Sequence, residues 1–212
     1  MKKLVLICGI LASVLSAEIS AMSQAEWAMA KNRCVNYDKL ACQELIDNGL
    51  ESVEECHKDN CSFIGLVYKG AGHHKEAIPY LEKTIALGND WAYVELGLAY
   101  YELNDYANAK KYYEIGCNKV STMQSESCYS LGVIYHERKG ARKNYHKAHE
   151  FYKKSCDMNY AKACNNLGLL YGKGKGVKKN LSIAKQYYGK ACNLGAYKGC
   201  DNYKLLNNQG VQ

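Results

Sequence analysis

Cysteine is the residue type whose spacing most plainly promises chemistry in this chain. Eleven occur: Cys8 lies within the apolar run from Leu4 to Leu15, and ten follow, from Cys34 to Cys200. Cys34/Cys42, Cys156/Cys164 and Cys192/Cys200 are each eight apart, Cys117/Cys128 eleven and Cys56/Cys61 five. Thiols so arranged can hold a metal or oxidise to disulfides. Cys56, His57, Cys61, His73 and His74 cluster in sequence as zinc ligands sometimes do. An even set of ten in a chain with an export-type start favours disulfides instead. No Cys-x-x-Cys-His haem signature is present, and neither a metal nor a cofactor is expected.

Other catalytic patterns are thinner. Ser182-Ile183-Ala184-Lys185 matches Ser-x-x-Lys, but Lys-Thr-Gly and Ser-Asp-Asn companions are absent. Serine is common near a helix start, where Ser182 falls. His146 and His149 sit three apart on an expected helix and could share a metal, although a solvated face is the simpler reading of such a pair. No residue order points to a serine–histidine–acid triad. Catalytic residues are therefore left unassigned.

The elements that must position these residues come from self-similarity. Cys128 to Cys164, Cys156 to Cys192 and Cys164 to Cys200 each span 36 residues. Leu131-Gly132-Val133-Ile134-Tyr135 returns as Leu167-Gly168-Leu169-Leu170-Tyr171. Earlier copies read Ile64-Gly65-Leu66-Val67-Tyr68 and Leu96-Gly97-Leu98-Ala99-Tyr100. Each opens a helix with apolar residues at i, i+3 and i+4. A second helix follows, pairing Ala77, Ala109, Ala148 or Ala184 with Leu81, Tyr113, Tyr152 or Tyr188 four residues later, on one face.

Leu167-Gly168 through Tyr171, the glycine-rich turn Gly172 to Gly176, Ala184 and Tyr188 together resemble a Sel1-like repeat. The copies near Ile64 and Leu96 have shorter turns and resemble ordinary tetratricopeptide units. Such units stack because one alone cannot bury its apolar face. The expected fold is an all-α, right-handed α/α solenoid stapled by disulfides. Its expected parts are a signal peptide (1–17), a capping helix (18–38) and repeats over 39–197. The repeats divide as 39–58 (truncated), 59–90, 91–125, 126–161 and 162–197, and 198–212 forms a cap and tail.

In this frame one cysteine ends the second helix of a unit and its partner lies one turn into the next unit. A short turn between antiparallel helices brings such positions within disulfide reach. The expected pairs are Cys34–Cys42, Cys56–Cys61, Cys117–Cys128, Cys156–Cys164 and Cys192–Cys200.

Met1-Lys2-Lys3, the short apolar run and the small residues Ser16, Ala17 and Ala21 describe a secretory signal peptide, so a secreted or periplasmic location is expected. The run is shorter than the roughly 20 residues a membrane span requires. Net charge is +7, carried mainly by lysines spread along helix surfaces. Only Arg33, Arg138 and Arg142 are arginines, which argues against a nucleic-acid partner.

In such solenoids the first helix of each pair lines a concave groove. The expected lining is Trp91, Val94, Leu98, Tyr101, Tyr129, Val133, His136, Asn165 and Leu169, suited to a peptide, protein or peptidoglycan-like ligand. Cysteine-bridged Sel1-like repeats behind a signal peptide also resemble the Helicobacter cysteine-rich protein (Hcp) family, classed with β-lactamases. That resemblance implies β-lactam binding or slow β-lactam hydrolysis. The leading expectation is an exported binding scaffold; the alternatives are a β-lactamase-type hydrolase and an envelope assembly factor.

Overall fold

The computed structural model describes residues 24–36, 38–50, 56, 58–137 and 143–212. The expected leader lies outside the described residues, as do His57 and the side chain of Trp27, which is expected to pack on the first junction. Among the described residues every regular element is a helix. They are α1 (Gln24–Val35), α2 (Lys39–Asp47), α3 (Lys58–Ala71), α4 (His74–Ala86), α5 (Ala92–Glu102) and α6 (Tyr106–Asn118). Then come α7 (Gln124–Glu137), α8 (Tyr145–Asp157), α9 (Ala161–Lys173), α10 (Leu181–Asn193) and α11 (Tyr197–Asn208). Consecutive helices pack on one another, and α3 also touches α5, α5 touches α7, and α9 touches α11. This is an all-helical solenoid of stacked pairs.

Local chemistry starts the second helices. Asp105, Asn144 and Asn180 precede α6, α8 and α10, and each side chain accepts a hydrogen bond from the backbone N–H three residues on. These caps satisfy donors that the first helical turn leaves unpaired. The second helices end as regularly. Asn159 and Gly195, 36 residues apart, both take positive φ (63° and 87°) and turn the chain into the next repeat.

Two contacts recur within the units, the first of them in the last three. The second-helix tyrosine lies over the first-helix glycine. A Cβ added at Gly97, Gly132 or Gly168 would stand 2.4–2.6 Å from a ring carbon of Tyr113, Tyr152 or Tyr188. Beside it, first-helix tyrosines stack on second-helix rings: Tyr68 on Tyr80, Tyr100 on Tyr112, Tyr135 on Phe151 and Tyr171 on Tyr187, with centroids 5.4–5.7 Å apart. The stacked partners are 12 residues apart in the first two units and 16 in the last two. The later units therefore carry a loop four residues longer without changing the packing. Leu96, Leu131 and Leu167 are fully buried at matching positions, each worth about 1.5–3 kcal/mol of burial.

Between units, five disulfides join Cys34–Cys42, Cys56–Cys61, Cys117–Cys128, Cys156–Cys164 and Cys192–Cys200, with Cα separations of 4.5–5.2 Å. A second tie crosses two of the same junctions. Lys154 Nζ donates to the Cys117 carbonyl at 2.9 Å, and Lys190 Nζ, 36 residues later, donates to the Cys156 carbonyl at 2.7 Å. Both carbonyls sit in the last turn of a helix, where a cation complements the dipole. The α4–α5 junction has no cysteines; there Ile85 packs with Ala77, Leu81 and Leu96.

Candidate ligand groove

The first helices α3, α5, α7, α9 and α11 share one face of the solenoid, and three pockets open along it. The first, about 190 Å³, lies among Cys34, Phe63, Leu66, Val67, Gly70 and the ion pair of Lys69 with Glu95. The second, about 180 Å³, is lined by Leu98, Tyr101, Tyr113, Tyr129, Ser130 and Val133. The third, about 450 Å³, is lined by Tyr129, Lys162, Asn165, Asn166, Ala196, Tyr197 and Lys198. The three pockets follow one another along alternate helices, the central one mostly apolar and the one nearest α11 more polar.

Four of the residues expected in the groove meet in the central pocket: Leu98 and Tyr101 from α5, Tyr129 and Val133 from α7. Asn165 lies in the third pocket, where it accepts a hydrogen bond from Asn202 Nδ2 at 3.0 Å. His136 continues the α7 row, its Nδ1 facing the Tyr152 hydroxyl at 3.4 Å. Burial first, and then Lys175, hold the His136 imidazole below its ordinary pKa. Val94 is placed differently: it is 5% exposed and packs with Ala109, Tyr113 and Leu131 in the core. Leu169 packs against the cluster of Ala184, Tyr188 and Leu206. Trp91 occupies the N-cap position of α5, half-buried.

Sequence reasoning missed Tyr113 and Ser130. Tyr113 serves packing through its ring and also lines the pocket beside Ser130, and burial raises its phenol pKa well above the ordinary value. The signal was present: a tyrosine seated on a helical glycine must send its hydroxyl past that helix, onto the opposite face.

The candidate chemical motifs are not assembled into sites. Ser182 is exposed in the first turn of α10, and Lys185 Nζ donates to the Val211 carbonyl beneath the Tyr203 ring. His146 is exposed, whereas His149 Nε2 bonds the Tyr171 hydroxyl at 3.1 Å. His73 Nε2 pairs with Gln43 Oε1 at 2.8 Å, and Cys56 and Cys61 are bonded to each other. Among the described residues no group of three or more His, Cys, Asp or Glu is placed to hold a metal.

The loop lengths divide the chain, and the comparisons divide it at the same place. Residues 125–160 and 161–195 match the Sel1 repeat, and residues 59–87 and 92–114 match the tetratricopeptide repeat. The chain carries Sel1 and tetratricopeptide repeats. Among solved structures it is similar to a protective antigen of uropathogenic Escherichia coli with an SLR fold, at 20% identity and a TM-score of 0.60. That likeness covers 87% of this chain and 44% of the antigen, so this chain spans less than half the antigen's length. A Sel1 repeat protein from Oxalobacter formigenes is similar at 23% identity and a TM-score of 0.52, over 58% of this chain and 94% of that one. Cysteine rich protein B of Helicobacter pylori is 28% identical over 57% of this chain and 92% of its own, with a TM-score of 0.45. No curated protein matches the sequence.

The five disulfides of this Sel1-repeat scaffold suit an oxidising, extracytoplasmic environment. Among the described residues no helix is long and apolar enough to cross a membrane.

Proposed function

We propose that this chain is an exported binding scaffold whose groove takes a peptide or an extended segment of a protein. The observation that carries this reading is the central pocket, where Leu98, Tyr101, Tyr129 and Val133 converge with the hydroxyl groups of Tyr113 and Ser130. Apolar walls with a few fixed hydroxyls accept a side chain and orient the backbone beside it. Rigid helices held by disulfides keep the pocket formed before ligand arrives, which lowers the ordering cost of binding.

Binding is favoured here over β-lactam hydrolysis because the one Ser-x-x-Lys pair points its lysine at a carbonyl and leaves its serine in solvent.

A peptide library displayed on phage tests the proposal. Selection on the oxidised protein should enrich peptides sharing an apolar anchor. Lysine substitutions of Leu98 and Val133, both half-buried, should abolish their capture while helix content is kept. Enrichment that survives both substitutions would remove the pocket from the account.

A further inference from the structure

At the rim of the groove, the α9–α10 loop of the second Sel1 repeat touches the first turn of α8 in the repeat before it. Gly176, in the α9–α10 loop with φ of 70°, lies so near Tyr145 that a Cβ there would stand 2.5 Å from the tyrosine's carbonyl carbon. Only glycine fits this approach. The contact fixes Lys175 beside the first turn of α8, with its Nζ 5.2 Å from the Tyr145 ring centroid. Lys143 approaches the same ring from the chain leading into α8, its Nζ at 5.8 Å. Both ammonium groups thus face one ring, and His136 meets that ring edge-on at 5.4 Å.

Positive charge gathers here without a partner. Among the described residues neither Lys143 nor Lys175 forms an ion pair. The neighbouring carboxylate, Glu137, accepts a hydrogen bond from the Tyr101 hydroxyl at 3.3 Å. Lys173, Lys178 and Lys179, all exposed, add charge from the α9–α10 side. Burial alone would raise the Tyr145 phenol, yet the nearby ammonium groups of Lys143 and Lys175 outweigh it and hold the group below its ordinary pKa. Two ammonium groups converging on one ring repel each other. An anion placed between them relieves that repulsion and gains charge-assisted hydrogen bonds.

We propose that Lys143, Tyr145 and Lys175 form a carboxylate subsite, and that the ligand is an acidic peptide whose apolar side chain occupies the neighbouring Leu98–Val133 pocket. This rests on the groove reading above. His136, which touches Tyr145, follows Val133 by three residues on α7. That is about 4.5 Å along the helix axis. Adding the ring-to-ring step, an extended ligand covers the gap with roughly three residues. A peptide fits better than an anionic membrane, because the two charges converge on one point beside a cavity rather than spreading over a flat face.

The same displayed library, selected on the wild-type protein and on the double variant Lys143→Gln/Lys175→Gln, tests the subsite. Wild type should enrich peptides with Asp or Glu about three positions from the apolar anchor. The double variant should keep the anchor and lose the acidic preference, and a synthetic wild-type winner should bind it about tenfold more weakly. Enrichment of the anchor with no acidic bias, unchanged in the variant, would overturn the subsite and leave the groove standing. No enrichment on either protein would overturn both. Binding to phosphatidylglycerol vesicles that the double variant loses, without acidic peptides, would overturn the peptide assignment in favour of a membrane.

Discussion

The ring of Tyr152 lies directly over Gly132, close enough that a Cβ on the glycine would stand 2.4 Å from the tyrosine's Cδ1 and Cε1. One missing methyl group thus sets how closely the two helices of a repeat approach. Gly65 differs, because the atom above it is Leu81 Cδ2 at 3.1 Å, the end of a flexible side chain. Alanine in a helix interior is worth about 0.5–1 kcal/mol over glycine. Overpacking a rigid contact costs about 1–3 kcal/mol. Gly132→Ala should therefore lower stability in urea by about 1–2 kcal/mol, while Gly65→Ala should be nearly neutral. Equal effects would show that the tyrosine contact does not set the spacing.

The lysine ties at the junctions should be separable from the disulfides. Replacing Lys190 by Met removes the hydrogen bond to the Cys156 carbonyl while keeping the Cys156–Cys164 bridge. The expected loss is about 1 kcal/mol, read by thermal or urea unfolding of the oxidised protein. Removing Cys156 and Cys164 together should cost more, about 2.5 kcal/mol on the chain-entropy model. A larger loss from the lysine than from the bridge would reverse this ranking. Peptide mapping without reductant should recover the five sequential pairs, and a long-range pair such as Cys42 with Cys200 would refute the junction scheme.

Much of this architecture is legible in the sequence, for a physical reason. Cys156 to Cys192 is 36 residues because each repeat must return the same side chains to the same neighbours, so packing writes its period into the text. The four-residue difference in loop length is equally readable from Tyr68, Tyr80, Tyr135 and Phe151. The groove is less legible. Helical spacing puts Val94 and Leu98 on one face, yet Val94 is covered by Tyr113 and Leu131 while Leu98 reaches the pocket. Which end of that face is covered depends on how far the next helix overlaps it, and no local pattern encodes that. The Lys143–Tyr145–Lys175 cluster joins two loops some 30 residues apart, and no single motif carries it.

Histidine titration gives a pH dependence of definite sign. Burial is the leading cause that lowers the pKa of both His136 and His149 from their ordinary value near 6.5. A group whose folded pKa lies below its unfolded value binds protons more readily when unfolded. Stability should therefore be full above the unfolded pKa and fall as pH drops through that value toward the folded one. Thermal melts should show a lower Tm at pH 5 than at pH 7.5, with the difference reduced in a His136→Asn/His149→Asn variant. A Tm rising on acidification through that window would contradict the burial assignment.

Ser182 should be dispensable. Its exposed place in the first turn of α10, with Lys185 engaged at Val211, predicts that Ser182→Ala leaves folding and any turnover of a chromogenic cephalosporin unchanged. Loss of turnover in that variant would make Ser182 a nucleophile and replace the binding account with a hydrolytic one.

The central claim is that ligand sits on the first helices. Hydrogen–deuterium exchange of the protein with and without a selected peptide tests it most directly. The account predicts added protection on α5 and α7, around Leu98 and Val133, with the outer faces of α6 and α10 unchanged. Protection confined to the second helices, or to the ends of the solenoid, would contradict it.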